Sequence, residues 1–116
     1  MFLRLIPKVF YAELQVGIDL FTKCLGFEVL HQEGQLVVVG RDGVKVYLVE
    51  DAEFAAKDRP ELTIETDAID AVYDEIRAGS PELLHPNAST VARKPWGALE
   101  FAVRDASDVC VIFRQW

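Results

Sequence analysis

Cysteine is nearly absent. The chain has only two, Cys24 and Cys110, with no Cys-x-x-Cys spacing, which leaves neither a zinc ribbon nor a dithiol redox motif and makes reduced thiols in a core the expectation. Long apolar runs are missing as well: charges or glycines interrupt every hydrophobic stretch well before the roughly 18 residues that a membrane-spanning helix needs. The opening residues Met1-Phe2-Leu3-Arg4-Leu5-Ile6-Pro7-Lys8 lack the apolar region and small-residue cleavage site of a secretory signal, so the expected address is the cytoplasm. Positive charge is scarce too, with 12 Lys plus Arg against 19 Asp plus Glu and a net charge of −7. No basic cluster exceeds Arg93-Lys94. Such a surface repels a phosphate backbone, which argues against a nucleic-acid partner. It attracts a cationic small molecule over about 8 Å, although mild acidity also serves plain solubility. Nor is there a nucleophile motif: GxSxG, a Gly-rich phosphate loop and HExxH do not occur, and Ser80, Ser89 and Ser107 all read as loop residues. No catalytic residue is assigned.

What is present fits one globular domain, since 51% of 116 residues are hydrophobic. Residues 4–11 read as a strand bent or edged by Pro7. Leu14, Ile18, Phe21 and Leu25 form one helical stripe that Gly26 ends. Three strands follow over residues 27–32, 35–41 and 44–50, with turns at Glu33-Gly34 and Asp42-Gly43. Residues 51–60 are polar and end in proline, a connector. The pattern then repeats. Residues 61–66 read as a strand, Thr66 or Asp67 caps a helix with apolar Ile69, Val72, Tyr73 and Ile76, and Gly79 ends it. A weak strand around Glu82 to His85, reaching toward Val91, precedes two strong ones at 98–104 and 109–115. Gly17-Ile18-Asp19 and Ala68-Ile69-Asp70 align the two halves at an offset of 51.

The expected fold is therefore α+β: two βαβββ modules from an internal duplication, each a curved mixed sheet with one helix on its outer face. Module 1 covers about residues 1–50 and module 2 about residues 61–116 of a single domain. Strand alternation turns Leu36, Val38, Lys45, Tyr47 and Val49 in the first half away from the helix, toward a cup. It does the same for Glu100, Ala102, Arg104, Cys110, Ile112 and Arg114 in the second. Apolar walls with a few placed charges suit a small-molecule pocket. Each position has a duller reading: Tyr47 as packing, Glu100 with Arg104 as a salt-bridged pair, Cys110 as filler.

The duplicated pattern, the segment Ile18 to Val29 and the run Lys94 to Phe113 resemble the glyoxalase, bleomycin resistance and extradiol dioxygenase superfamily, the vicinal oxygen chelate proteins. Pro95-Trp96-Gly97, Glu100-Phe101, Arg104-Asp105 and Pro7 are most similar to small bleomycin resistance proteins, with Asp105-Ala106-Ser107-Asp108 replacing their usual Asp-Pro-x-Gly turn. The resemblance implies antibiotic resistance by sequestration, a homodimer with clefts at its interface, and room for exchange of the N-terminal strand. It also places a tryptophan, here Trp96, in the cleft, where the ring stacks on a planar or cationic ligand or instead plugs the interface. The family's other aromatic cleft positions fall at His31 and Leu36. Catalytic members hold a divalent metal at positions that fall here near Ile6, Tyr47, Glu61 and Ile112, where at most one ligand remains and about three are needed. His31 and His85 lie on an outer strand or loop. The reading is a protein with no metal and no cofactor that binds a small molecule through Trp96, Tyr47, His31, Leu36, Val38, Glu100, Arg104 and Ile112. The alternatives are a metal-dependent lyase, isomerase or dioxygenase of the same superfamily, and a fold relative with no ligand.

Overall fold

The computed structural model describes residues 1–116, which divide into two compact units, Met1–Asp58 and Arg59–Trp116. In the first, strands β1 (Lys8–Tyr11), β2 (Glu28–Glu33), β3 (Leu36–Arg41) and β4 (Val44–Glu50) form a sheet in the order β1-β4-β3-β2, with β1 parallel to β4. In the second, β5 (Glu61–Glu65), β6 (Ala92–Arg93), β7 (Leu99–Arg104) and β8 (Cys110–Gln115) repeat this as β5-β8-β7-β6. Each sheet carries its own helix, and the duplicated α+β architecture stands as expected.

Alternation explains which face the helix covers. In β4 Val46 and Leu48 are buried while Lys45, Tyr47 and Val49 are half-buried. Val9, Tyr11, Val37 and Val39 join Val46 and Leu48 under Leu14, Leu20, Phe21 and Leu25. In the second unit Ile69 and Ile76 are the buried residues of helix α3 (Ile69–Gly79). They belong to a core with Phe101, Val103, Val111 and Phe113, in which Phe101 stacks on Phe113 at 5.1 Å and meets Tyr73 edge-on. No helix is long and apolar enough to cross a membrane.

Several details depart from expectation. The first strand begins at Lys8 rather than residue 4, since Pro7 has no N–H for the ladder, although its carbonyl accepts from Tyr47 N at 3.0 Å. Helix α1 (Leu14–Asp19) starts earlier than the Gly17-Ile18-Asp19 alignment implies and continues as a π-helical turn over Leu20–Cys24. That turn rotates Leu20 and Cys24 into the core, leaving Ile18 only half-buried.

Neither Thr66 nor Asp67 caps α3. Thr66 Oγ1 accepts only from Ala68 N, while the first helical amide, Ile69 N, donates to Gln115 Oε1 at 2.8 Å. The first unit does the same thing: Leu14 N donates to Glu50 Oε2 at 3.0 Å. In each half the last residue of the last strand caps the helix, satisfying an amide that the helix itself cannot. The duplication is therefore in register at Leu14 and Ile69, 55 positions apart, and the offset of 51 is overturned.

The connector contains a one-turn helix, α2 (Ala52–Ala55), capped by Asp51, and its Phe54 packs on Phe10 at 5.1 Å. The weak strand at 82–91 does not form. Pro81 and Pro86 deny it a ladder, and a 3-10 turn (Pro81–Leu83) and a loop lie along β7 instead, tied by His85 N to Ala102 O and Ala102 N to Ala88 O. Val38 and Ala102, which stand opposite Tyr47 and Ile112, are 64 positions apart. The second unit thus carries extra residues between its helix and β7, and this loop is where they lie.

Gly17 marks the tightest helix–sheet approach: a Cβ there would run into the ring of Tyr11, which is fully buried. The ring has nowhere to go. Gly17→Ala should therefore destabilise by about 1 kcal/mol net, overpacking of about 1–3 kcal/mol outweighing a gain in helix propensity of about 1 kcal/mol. Urea unfolding of the two proteins measures it.

Candidate ligand-binding face

Strand register sorts the expected site residues onto two faces. On the first sheet Tyr47 pairs with Lys8 and Val38, and Val38 with His31, so His31, Val38 and Tyr47 share the face turned from the helix. Leu36, opposite Val49 and Glu33, lies on it too. Val38 is buried and Leu36 and Tyr47 half-buried. His31 is exposed, its Nε2 3.3 Å from Glu33 Oε2. On the second sheet Ile112 pairs with Thr63 and Ala102, Glu100 with Arg114, and Arg104 with Cys110, which puts Glu100, Arg104 and Ile112 on one face.

Glu100 organises that face. It is only 6% exposed, and a carboxylate in that position is costly unless paired and hydrogen-bonded. Both conditions are met by one oxygen: Oε2 accepts from Arg114 Nε at 2.7 Å and from Trp96 Nε1 at 2.8 Å. Burial pushes the carboxyl's pKa up, but the Arg114 and Trp96 hydrogen bonds, with the charges of Arg114 and Lys94, outweigh it and hold the group below the usual carboxylate range. The expected Glu100–Arg104 pair does not form. Arg104 is exposed and lies 3.8 Å from Asp108 Oδ1 across the β7–β8 turn.

Trp96 is 55% exposed. Its N–H is fixed by Glu100 while much of the ring lies open, so it is not a core plug of its unit. Glu100, to which it is tied, also lines a hollow of about 200 Å³ whose other walls include His85, Asn87, Lys94, Cys110 and Ile112; Trp96 itself is not in that lining. His85 Nδ1 accepts from Asn87 N at 3.1 Å, leaving Nε2 for a ligand. The Cys110 thiol is pushed up by burial and by Glu61, only partly offset by Arg104, so it is no activated nucleophile.

Sequence reasoning weighed His85 as an imidazole on an outer strand or loop but missed Asn87 and Lys94 as lining residues, because the loop that delivers His85 and Asn87 read as a strand. A larger hollow of about 460 Å³ lies on the first unit, where Arg4, Glu28, Asp42 and Lys45 are among the lining residues. Of the residues turned toward the expected cup only Lys45 reaches it, and half of its lining is charged.

A metal is what catalytic members of the resembled superfamily require. The four positions that the resemblance implies fall near Ile6, Tyr47, Glu61 and Ile112, and nowhere do three His, Cys, Asp or Glu side chains gather in a way that could hold an ion. The donor set does not fit a divalent metal.

No protein-family model matches the sequence, and no curated protein does. Solved structures do match in fold. The bleomycin-binding protein of the bleomycin producer Streptomyces verticillus, solved with copper(II)-bleomycin, superposes with a TM-score of 0.78 at 23% identity over 97% of this chain and 95% of that one. A second bleomycin-binding protein, solved with bleomycin, gives 0.79 at 13% identity over 97% and 98%. TioX from Micromonospora sp. ML1 gives 0.79 at 15% over 95% of each chain. The chain therefore has the fold of the bleomycin-binding proteins, the architecture that its sequence resembles.

The pairing at Glu100 predicts an acid-sensitive fold. Because its folded pKa lies below the unfolded value of about 4.3, the stability it contributes is present above that value and is lost as pH falls through the folded one. Thermal melts by circular dichroism should show wild type losing stability below about pH 4. Glu100→Gln should be less stable at neutral pH and show a smaller further loss on acidification.

Proposed function

We propose that this chain is a binding protein that sequesters a small planar or cationic molecule, without chemistry on it, in a cleft completed by a second copy of itself. The observation that carries this reading is the pinned, half-open indole of Trp96. An aromatic ring held by its edge on a buried carboxylate offers its face to a flat ligand at little entropic cost. Two solved neighbours with the same fold were captured with bleomycin or its copper complex, which supports a ligand-binding use of the scaffold. Binding alone accounts for such a role, and the residues present supply neither a metal centre nor an activated nucleophile. His31 and Leu36 stand where bleomycin resistance proteins carry aromatic rings, which favours a ligand other than bleomycin. Tyr47, Val38, Arg104 and Ile112 complete the proposed lining.

Exposed apolar surface supports the self-association. Phe2, Leu3 and Leu5 are almost fully exposed, and Val29 and Leu30 are about half-exposed on the edge strand β2. An unpaired edge with apolar side chains is a template for another strand, and twofold pairing of identical copies is the commonest way to cover such a patch.

Trp96→Ala separates binding from packing. It should weaken binding of a planar cation such as acridine orange by about 1–3 kcal/mol. Being largely exposed, the ring should cost under about 1 kcal/mol of stability rather than the roughly 3–5 kcal/mol of a buried large-to-small change. Fluorescence titration and thermal melts read the two effects, and a strongly destabilised variant with unchanged affinity would overturn the assignment. Light scattering at micromolar concentration should report a dimer. A monomer would remove the second copy from the proposal.

A further inference from the structure

Trp96 is not alone on its face. Glu65 and Arg114 are register partners on β5 and β8, as Arg114 and Glu100 are on β8 and β7, so all three side chains project the same way. Glu65 Oε2 accepts from the indole N–H of Trp116 at 2.7 Å, and the Arg114 guanidinium lies 5.7 Å from the Trp116 ring centroid. Trp116 is 69% exposed. The result is a continuous relay in which Trp96 binds Glu100, Glu100 binds Arg114, Arg114 lies over Trp116, and Trp116 binds Glu65. Each indole is tethered by its N–H to a carboxylate on a strand flanking β8. Those strands are two spacings apart, about 10 Å.

Charge on this part of the face is internally balanced. Glu61, Glu65 and Glu100 share it with Lys94, Arg104 and Arg114, with Glu100–Arg114 in direct contact and Glu61 and Lys94 lining the same hollow as Glu100. The carboxylate surplus of this unit lies instead on α3 and its flanks, where Asp67, Asp70, Asp74, Glu75 and Glu82 have only Arg77 among them. The acidity of the chain as a whole therefore does not describe the surface around the two rings.

We infer that Trp96 and Trp116 form one two-ring stacking platform on the second sheet, and that its ligand is an uncharged, elongated aromatic molecule with two flat groups rather than a compact cation. This rests on the binding reading above and narrows its ligand class. Stacking on two pre-positioned indoles supplies the affinity, and with the Arg114 guanidinium already over the Trp116 ring, a ligand's own fixed positive charge has less to gain there.

The experiment compares thioflavin T, a two-part cation, with its uncharged analogue lacking the ring N-methyl group, and with benzothiazole alone, by tryptophan quenching at about 50 and about 500 mM salt. The uncharged two-part compound should bind at least as tightly as thioflavin T, with a dissociation constant that changes by less than about twofold between the two salts. Trp116→Leu should weaken that compound about five- to tenfold and leave benzothiazole, which needs one ring only, unchanged. Glu65→Ala keeps the indole but frees it, and should shift affinity in the same direction by less; circular dichroism verifies that both variants are folded. Preference for the cation that disappears at high salt overturns the inference. So does full affinity in Trp116→Leu alongside loss in Trp96→Leu, a result that leaves the sequestration reading standing. Failure of all three compounds to bind wild type overturns the inference, and the sequestration reading falls with it only where acridine orange also fails to bind.

Discussion

A buried carboxylate has to be answered, and in the second unit the answer organises the surface. Glu100 sits on the central strand β7 with almost no access to water, so one guanidinium and one indole must converge on its oxygen. That requirement sets the orientation of Arg114, which lies against Trp116, and it anchors the Pro95-Trp96-Gly97 loop. Gly97, at φ +99°, provides the left-handed backbone by which the chain turns back into β7 with Trp96 over the sheet. Stability and the proposed ligand recognition thus draw on the same atoms, and substitutions at Glu100 cannot separate them as cleanly as substitutions at the two rings.

The helix caps make a parallel case in the fold itself. Glu50 and Gln115 are far in sequence from Leu14 and Ile69, yet each reaches the first amide of its helix. A strand end locked to a helix start fixes how the helix lies across the sheet, and doing so twice preserves the duplication where the residues themselves have diverged from Glu to Gln. Between these fixed points the second half accepted extra residues. They became the loop that carries His85 and Asn87 to the hollow, so the asymmetry between the halves is also what distinguishes their faces.

Local signals in the sequence transferred well. Asp42-Gly43 marks a hairpin, and both residues do take positive φ, at 51° and 80°, as a two-residue turn of that kind demands. The Ile69, Val72, Tyr73, Ile76 stripe faces the core, and alternation along β4, β7 and β8 assigns Tyr47, Glu100 and Ile112 to the faces on which they lie. What could not be read was decided between segments. The Glu100–Arg114 pair joins residues 14 apart through strand register, the π turn depends on packing of Leu20 and Cys24, and the proline-bounded loop replaces a strand because β7 found backbone partners in it. Charge misled for the same reason: a total of −7 contains no record that most of the second unit's excess lies along its helix.

Both tryptophans of the chain sit on this single face. The intrinsic ultraviolet emission of the molecule is consequently a local reporter of that face, sensitive to change in the hydrogen bonds that Glu65 and Glu100 accept. The polarity around each indole N–H is set by the carboxylate that accepts from it, so the emission follows the two tethers rather than the bulk of the fold.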